Sequence, residues 1–429
     1  MKTYANIAAI AAVSILLWGC APSPSIVPDS PASNSDPQNP NSQADGIREV
    51  FSRESHAWPA LPDQGLLVAT IRWGSTTLAA LDLRRGALIP LVTRPSGEMD
   101  ITGAPDRVAY LVREGVDPCR NYVEILNLKE GSIYRLKPGN GLAILGFSFG
   151  SRPTELIFTE MNLRESRSRH ARWRTVLADA GTGDSRVAVS SDSGNTTAEA
   201  IPVPLGRSTE TGETYFLGLL PFRGMIHSGL WAMSFDGQGP KEKEIVAETA
   251  YVGRPRLSAD GDFLAYLSSN LESLPVSDIT TPGAPPGNVL VVTDLRTGRN
   301  ISLAEKPDAA FGCLRWSAAG DEILVAHRHW LNGRFRDQGF LAGAKESAFQ
   351  LETTGFSPSP DATVTDIAKC ESGSLFWVEQ GVWGTRLRDA GVGPEATTLL
   401  ALDDGEIRVL GCLKGGTLKQ APGWEAAGL

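Results

Sequence analysis

A strand that runs into a tight glycine turn recurs along this chain, and the spacing of its copies limits the fold more than any other feature. The copies are "LAALDLRRG", "VEILNLKEG", "TVLADAGTG", "LWAMSFDG", "VLVVTDLRTG" and "TLLALDDG", ending at Gly86, Gly131, Gly183, Gly237, Gly298 and Gly405. The steps between them are 45, 52, 54, 61 and 107 residues. The last is about twice the others, so one degenerate copy is expected between Gly298 and Gly405. The 319 residues from Gly86 to Gly405 then divide into six steps of about 53. One propeller blade of four strands has that length.

A second line precedes the first. "PRLSADGDFLAYLSS" (255–269) and "LRWSAAGDEILVAHR" (314–328) each read apolar-Ser, a turn with glycine, then a strand. "ESGSLFWVEQ" and "APDRVAYLVRE" are weaker copies, and "GFSFGSRPTELIFTE" (146–160) falls into the same line. That last segment contains G-x-S-x-G. A catalytic serine at such an elbow needs a strand, the turn and then a helix. Here Pro153 and another β run follow, so Ser148 reads as a blade position matching Ser258 and Ser317. Second strands are expected near residues 66, 107, 155, 214, 262, 322 and 374, which gives seven blades. The first blade lacks an inner strand of its own. The segment "GCLKGGTL" (411–418) is expected to supply it and close the ring, because an open ring leaves unpaired strand edges. The fold class is therefore all-β, a β-propeller of seven four-stranded blades closed by the C-terminal segment.

The "PRLSADGDFLAYLSS" line resembles the repeat of the TolB-like, WD40-like propellers of bacterial envelope proteins, with Ala259 where that family usually has proline. The resemblance is carried by two blades and extends as a pattern over most of residues 60–415. It implies the propeller fold.

The N-terminus gives an address. Lys2 precedes the apolar stretch "IAAIAAVSILLWG", which has signal-peptide length. It ends in "LLWGC", which resembles the bacterial lipobox, with Cys20 as the acylated residue and Trp18 bulkier than usual. Ala21 rather than Asp follows, which in that family favours the outer membrane of a two-membrane cell. In a cell with one membrane the protein would sit on its outer face. Residues 21–46 contain six Pro, six Ser and no aromatic residue, too little apolar area to offset ordering entropy. They read as a tether spanning roughly 30 Å as a coil. The expected organisation is a signal peptide at 1–19, a tether at 20–46 and a propeller over 47–429.

The formal net charge of -9 argues against nucleic acid as a partner, since phosphate binding needs a basic surface. Of the cysteines after Cys20, Cys370 is expected on an inner strand and Cys313 and Cys412 near the starts of neighbouring inner strands, and one disulfide among the three is anticipated in an oxidising compartment. His327 and His329 are two apart on a strand, but no third ligand lies close in sequence, so no metal and no cofactor is assigned. The inner strands show Arg256, Arg315 and Lys369 but few carboxylates, which disfavours a catalytic site in the central channel. The loops joining second to third strands, roughly 113–121, 161–172, 221–228, 269–288, 328–338 and 380–396, hold twelve Arg against eight carboxylates. Among them Arg167, Arg169, Arg334 and Arg336, with Trp330 and Trp383, form the expected partner-binding set, since arginine with aromatic residues favours interface hot spots. The reading is a monomeric, lipid-anchored envelope propeller that binds a protein or an anionic polymer without catalysis. The alternative is a lactonase-like or hydrolase-like propeller with a site in the channel.

Overall fold

The computed structural model describes residues 51–419 apart from 96–100, 105, 115–117, 151–153, 163–171, 192–199, 209–210, 221–225, 235–240, 259, 271–286, 307–308, 332–333 and 392–395. The described residues are almost entirely strand, and no described helix is long and apolar enough to cross a membrane. The strands form seven antiparallel sheets, the blades of a propeller.

A short strand, β1 (Phe51–Ser55), comes first. Blade 1 contains β2 (Gln64–Arg72), β3 (Ser75–Asp82) and β4 (Ala87–Pro95). Blade 2 is β5 (Ile101–Ala104), β6 (Arg107–Val112), β7 (Tyr122–Asn127) and β8 (Ser132–Leu136). Blade 3 is β9 (Ala143–Phe149), β10 (Glu155–Met161), β11 (Trp173–Asp179) and β12 (Asp184–Ser190). Blade 4 is β13 (Ile201–Arg207), β14 (Thr214–Leu220), β15 (Ile226–Ser234) and β16 (Lys241–Tyr251). Blade 5 is β17 (Gly253–Leu257), β18 (Phe263–Ser268), β19 (Val289–Asp294) and β20 (Arg299–Glu305). Blade 6 is β21 (Ala309–Trp316), β22 (Glu322–Leu331), β23 (Arg334–Ala344) and β24 (Glu352–Thr353). Blade 7 is β25 (Thr363–Lys369), β26 (Leu375–Gly381), β27 (Gly384–Asp389) and β28 (Thr397–Leu402). The seven second strands lie where the sequence places them.

The ring closes as expected. β29 (Glu406–Lys414) is the inner strand of blade 1 and pairs with β2 from Gln64↔Lys414 to Ile71↔Glu406. A final strand, β30 (Thr417–Lys419), folds back on β29. β1 adds a fifth strand outside β8.

Position within a blade sets the sequence pattern. A propeller sheet is covered on both faces by its neighbours, so its middle strands read as continuous apolar runs. β10 is buried at every residue and β18 at all but its last. Outer strands face water and alternate, as in "RNISLAE" of β20. The apolar core is accordingly a set of layers between blades. One layer joins blades 1 and 2 through Leu67, Val108, Tyr110 and Leu410. Another joins blades 7 and 1 through Phe376, Val378, Leu66 and Val68.

Two repeat assignments need correction. Gly86, Gly131, Gly183 and Gly298 do close the turns between third and fourth strands, each with φ between 63° and 77°. Gly405 does not: it lies between β28 and β29, in the connection from blade 7 to blade 1. Blade 6 makes its third turn at 345–351 without the acidic-glycine signature and is the degenerate copy, whereas blade 7 turns after Asp389, where Gly391 N donates to the Asp389 carboxylate as Gly181 N does to Asp179 in blade 3. Ser148 is also two residues out of register. The backbone N–H of Ser258 and Ser317 bonds the first or nearby carbonyl of the second strand, at Phe263 and Glu322, and in blade 3 Gly150 makes that bond to Glu155. Ser148 is a buried residue within β9, paired with Ile157.

The inner strands bond to one another around the closure. Arg256 donates Nε to Leu314 O at 3.2 Å, and Trp316 returns Nε1 to Arg256 O at 2.8 Å, joining blades 5 and 6. Arg315 then reaches both Asp366 of blade 7 (2.7 Å) and Val409 O of the closing strand (2.6 Å). Asp366 accepts from Val409 N at 2.6 Å. Cys370 and Cys412 form a disulfide with Cα atoms 5.7 Å apart. Cys313 is buried and free. Contrary to the placement expected from sequence, Cys412 sits near the end of its strand and Cys370 just beyond the end of β25. That position lets them meet at the exits of two neighbouring inner strands.

Closing a loop of 42 residues restricts the unfolded chain by about 4 kcal/mol on the chain-entropy account. Reduction, or Cys412→Ser, is expected to lower the melting temperature by about 5 °C while leaving the β circular dichroism intact. An unchanged melting temperature under full reduction would show that the cross-link adds nothing to the closure.

Candidate functional site

The direction of each strand divides the connections between two faces of the disc. The upper face carries the links between second and third strands and the links from blade to blade. The lower face carries the other within-blade turns. The candidate partner residues belong to the upper face, chiefly over blades 6 and 7.

Two of the expected loops are not loops. In blade 6 only residues 332–333 separate β22 from β23, and Arg328 pairs with Asp337 and Trp330 with Phe335 across a continuous hairpin. Ten-residue and eleven-residue strands make it the longest hairpin among the described blades. The signal for it was present: Asn332-Gly333 between alternating segments is the dipeptide of a tight hairpin turn. In blade 7 residues 382–383 form a two-residue turn, Arg386 and Arg388 lie on β27, and 390–396 emerges on the lower face. Trp330 and Arg334 thus sit at the hairpin tip by their backbones. Arg167 and Arg169 lie outside the described residues.

Several arginines of this face are held by carboxylates of the scaffold. Buried Asp337 accepts from Arg328 Nε at 2.7 Å and from Val364 N at 2.7 Å. Buried Glu379 accepts from Ser359 N (2.9 Å), Ser359 Oγ (2.6 Å) and Trp377 Nε1 (3.2 Å), with Arg388 Nε 3.6 Å away. Glu160 does the same in blade 3, accepting from Gly139 N at 2.9 Å and from Arg174. In each case a carboxylate on a second or third strand captures a backbone N–H at or beside a link between blades and is neutralised by an arginine. A buried charge is tolerated only when so paired and hydrogen-bonded. Glu124, also buried, is held by Arg94 of blade 1 and Arg135 of blade 2, each at 2.8 Å, and by the Tyr110 hydroxyl. Burial and Glu124 together push the Tyr110 hydroxyl far above its usual range, so it remains a donor.

Two named residues are described with their side chains. Arg336 is partly buried and pairs with Asp361 of the link between blades 6 and 7. Trp383 is partly buried, folds back over Gly381, and lies beneath the Arg386 guanidinium, 4.0 Å from its ring centre. Such a stack fixes an arginine at the surface while leaving its charge in place.

His327 and His329 do face the same side of β22, with ring centres 4.4 Å apart. No group of three or more His, Cys, Asp or Glu suited to a metal ion occurs among the described residues. Burial first, then the nearby His329 and Lys306, depress His327 to about 4, partly opposed by Asp337. The inner strands hold a carboxylate that the sequence does not single out: Asp366 on β25, whose "TVTDIAK" carries no repeat signature.

No protein-family model matches the sequence, and no curated protein matches it. Solved structures do match in fold. The dihydro-heme d1 dehydrogenase NirN is 14% identical with a TM-score of 0.51, over 88% of this chain and 83% of that one. A puromycin hydrolase is 14% identical with a TM-score of 0.52, over 85% of this chain and 56% of its own length. TolB from Acinetobacter baumannii is 16% identical with a TM-score of 0.41, over 69% of this chain and 65% of TolB. At these identities the likeness is one of fold.

The depressed His327 sets a pH dependence. Its folded value of about 4 lies below the unfolded value of about 6.5, so the unfolded chain takes the proton first as pH falls. Stability is therefore unaffected above pH ~6.5 and declines between ~6.5 and ~4. After allowance for solvent screening the loss is on the order of 1–2 kcal/mol. His327→Gln should flatten this part of a denaturation-versus-pH curve. An identical slope in the variant would assign the loss to other groups.

Proposed function

We propose that this chain is a lipid-anchored envelope propeller that captures a partner on its upper face and performs no chemistry of its own. The observation that carries this reading is the use made of its charged side chains. Asp337, Asp366, Glu124, Glu160 and Glu379 are buried and committed to arginines and backbone N–H groups that hold blade to blade. Groups so engaged are scaffold. A propeller enzyme instead directs several carboxylates or imidazoles from its inner strands to one reacting centre. Enzymes use this fold too, as the dehydrogenase and hydrolase neighbours show, so the reading rests on the site.

The address rests on the sequence. Lys2, the apolar stretch and "LLWGC" support export and acylation of Cys20, and the Pro/Ser-rich segment after it supports a tether. The partner surface is the blade 6 hairpin, the longest of the described hairpins, on which Trp330, Arg334 and Arg336 lie. An acidic protein or an anionic envelope polymer suits such a surface, because arginine forks match carboxylates and phosphates.

Two measurements test this. Cys20→Ser should release the protein from the membrane fraction or block its processing; a mature wild-type N-terminus at another residue would sink the anchor. Arg334→Glu combined with Arg336→Glu should weaken capture of the envelope partner by about tenfold or more at low salt, and less at high salt. Folding should be nearly unchanged, since the Arg336 partner, Asp361, is 58% exposed and such pairs contribute roughly 0–1 kcal/mol. Undiminished capture by this variant, and by Arg167→Glu with Arg169→Glu, would leave the face without the proposed role.

A further inference from the structure

Two large apolar side chains stand fully in solvent, and they are neighbours in the fold. Trp73 is 100% exposed and Val382 is 104% exposed. The other exposed large hydrophobic residues among those described, Leu88, Val187, Ile301 and Leu303, lie on outer strands and are 37–64% exposed. Trp73 and Val382 instead occupy two-residue turns between second and third strands, in blades 1 and 7. Both turns are on the upper face.

The two turns are joined by a third. The link 403–405 runs from blade 7 to the closing strand of blade 1. A Cβ added to Gly405 would come within 2.4 Å of Ile71 O and 3.2 Å of Arg72 Cγ. A Cβ added to Gly384 would come within 2.2 Å of Leu402 O and 2.9 Å of Asp403 Cα. The three turns therefore pack side by side and form one surface. Its charges balance: Arg72 and Arg386 are offset by Asp403 and Asp404, of which Arg72 and both aspartates are exposed. The surface offers a tryptophan and a valine with no net field to attract an anion.

The chain also enters the fold at this face. β1 pairs antiparallel with β8, Phe51 opposite Leu136 and Ser55 opposite Ser132. β8 ends at the upper face, so Phe51 lies there too, at the outer edge of blade 2, beside blade 1. The place is fixed by several bonds. Arg135 Nη2 meets Glu54 at 3.0 Å, His56 N donates to Gly131 O at 2.7 Å, and Trp58 Nε1 donates to Asn127 O at 3.0 Å. Fifty residues precede Phe51, and they join the disc on the side where Trp73 projects.

We propose that the turns of blades 7 and 1 rest on the bilayer surface to which the chain's own N-terminal lipid holds it, with Trp73 and Val382 seated at the lipid headgroup level. This rests on the lipid-anchor reading above. Tryptophan suits that place because its ring is apolar and its N–H is polar. One tryptophan and one valine are too little to hold a free protein on a membrane. Behind a short tether they do not have to, because the lipid anchor raises the effective concentration of the surface to about the millimolar range. The neutral charge balance makes the contact one of partition rather than of attraction to anionic lipid. A disc resting on the rim of blades 7, 1 and 2 lifts blades 4 to 6 away from the bilayer, which leaves the blade 6 hairpin open to a partner.

The test uses the full-length lipidated protein on phosphatidylcholine vesicles whose acyl chains carry bromine, which quenches nearby tryptophan emission. The expected result is that wild-type emission is quenched and that Trp73→Phe removes the quenched share, the contribution of one of the nine tryptophans that follow Cys20. Val382→Asp, which keeps Trp73, should reduce the quenching as well. Neither high salt nor added phosphatidylglycerol should change it. If the protein floats with the vesicles and wild type and Trp73→Phe are quenched alike, the surface faces water or another protein and the proposal is overturned, with the anchor left standing. If the protein fails to float, the anchor reading falls and this proposal falls with it.

Discussion

Everything in this molecule depends on one strand pairing, that of β29 with β2. The blades before it are sheets that each bury two faces against neighbours, so a missing neighbour exposes a whole apolar layer. The layer between blades 7 and 1, with Leu66, Val68, Phe376 and Val378, exists only if residues from opposite ends of the chain meet. Such contacts bear the largest loop-closure entropy in the chain, since more than 300 residues separate Ile71 from Glu406. The structure gathers a set of polar bonds and a disulfide at this point. Arg315 reaches over blade 7 to the closing strand, Asp366 receives its backbone N–H, and the disulfide ties it to the end of β25. The polar connections run from blade 5 through blade 6 and blade 7 to blade 1. They join the last-made blades to the first.

A second constraint follows from the same architecture. Blades meet through apolar faces, which slide easily, so something directional has to fix the links between them. Glu160, Asp337 and Glu379 each do this with one carboxylate, one arginine and one or more N–H groups. The device explains why this chain has 40 Lys and Arg and 49 Asp and Glu and still spends charges below its surface. It also changes the meaning of a basic upper face. Arg328, Arg336 and Arg388 look from the sequence like a charged loop cluster, yet each has a carboxylate of its own scaffold in reach.

What was legible in the sequence follows from how locally each feature is encoded. The seven second strands read out because they are buried on both faces, and "LLVATI" or "ELIFTEM" has no other use. The closing strand follows from the count of strands, since one blade lacks an inner member of its own. Turn chemistry was legible where a positive φ demands glycine, at Gly86 or Gly298, and misleading where the same residues made a link between blades, at Gly405. Register within the "GFSFG" segment failed because Gly150, not the serine, makes the turn's bond. The carboxylate clamps were not legible at all. Glu379 and Ser359 are 20 residues apart and in different blades' territory, and nothing in either segment names the other. Partners of that kind are set by the angle between blades, which no local pattern records.

The asymmetry of the disc is the remaining step. Blades 1 and 7 cross from second to third strand with only two residues, at 73–74 and 382–383, whereas blades 2, 3, 4 and 5 use the longer stretches 113–121, 162–172, 221–225 and 269–288. In blade 6 two residues separate the extended second and third strands. A seven-fold scaffold has no reason of its own for this difference, because the packing between blades is made by the strands. The short crossings fall at the closure, where β29 and β2 have to meet and where a long insertion would add ordering entropy to the costliest contact of the fold. They also fall beside the point where the N-terminal segment joins blade 2. Insertions are tolerated best at exposed loops away from such a junction. The closure therefore keeps one sector of the upper face low and close to where Phe51 enters the edge of blade 2. The remaining sector is left to the hairpin and loops that vary without disturbing the ring, which is where binding residues on a rigid scaffold are expected to collect.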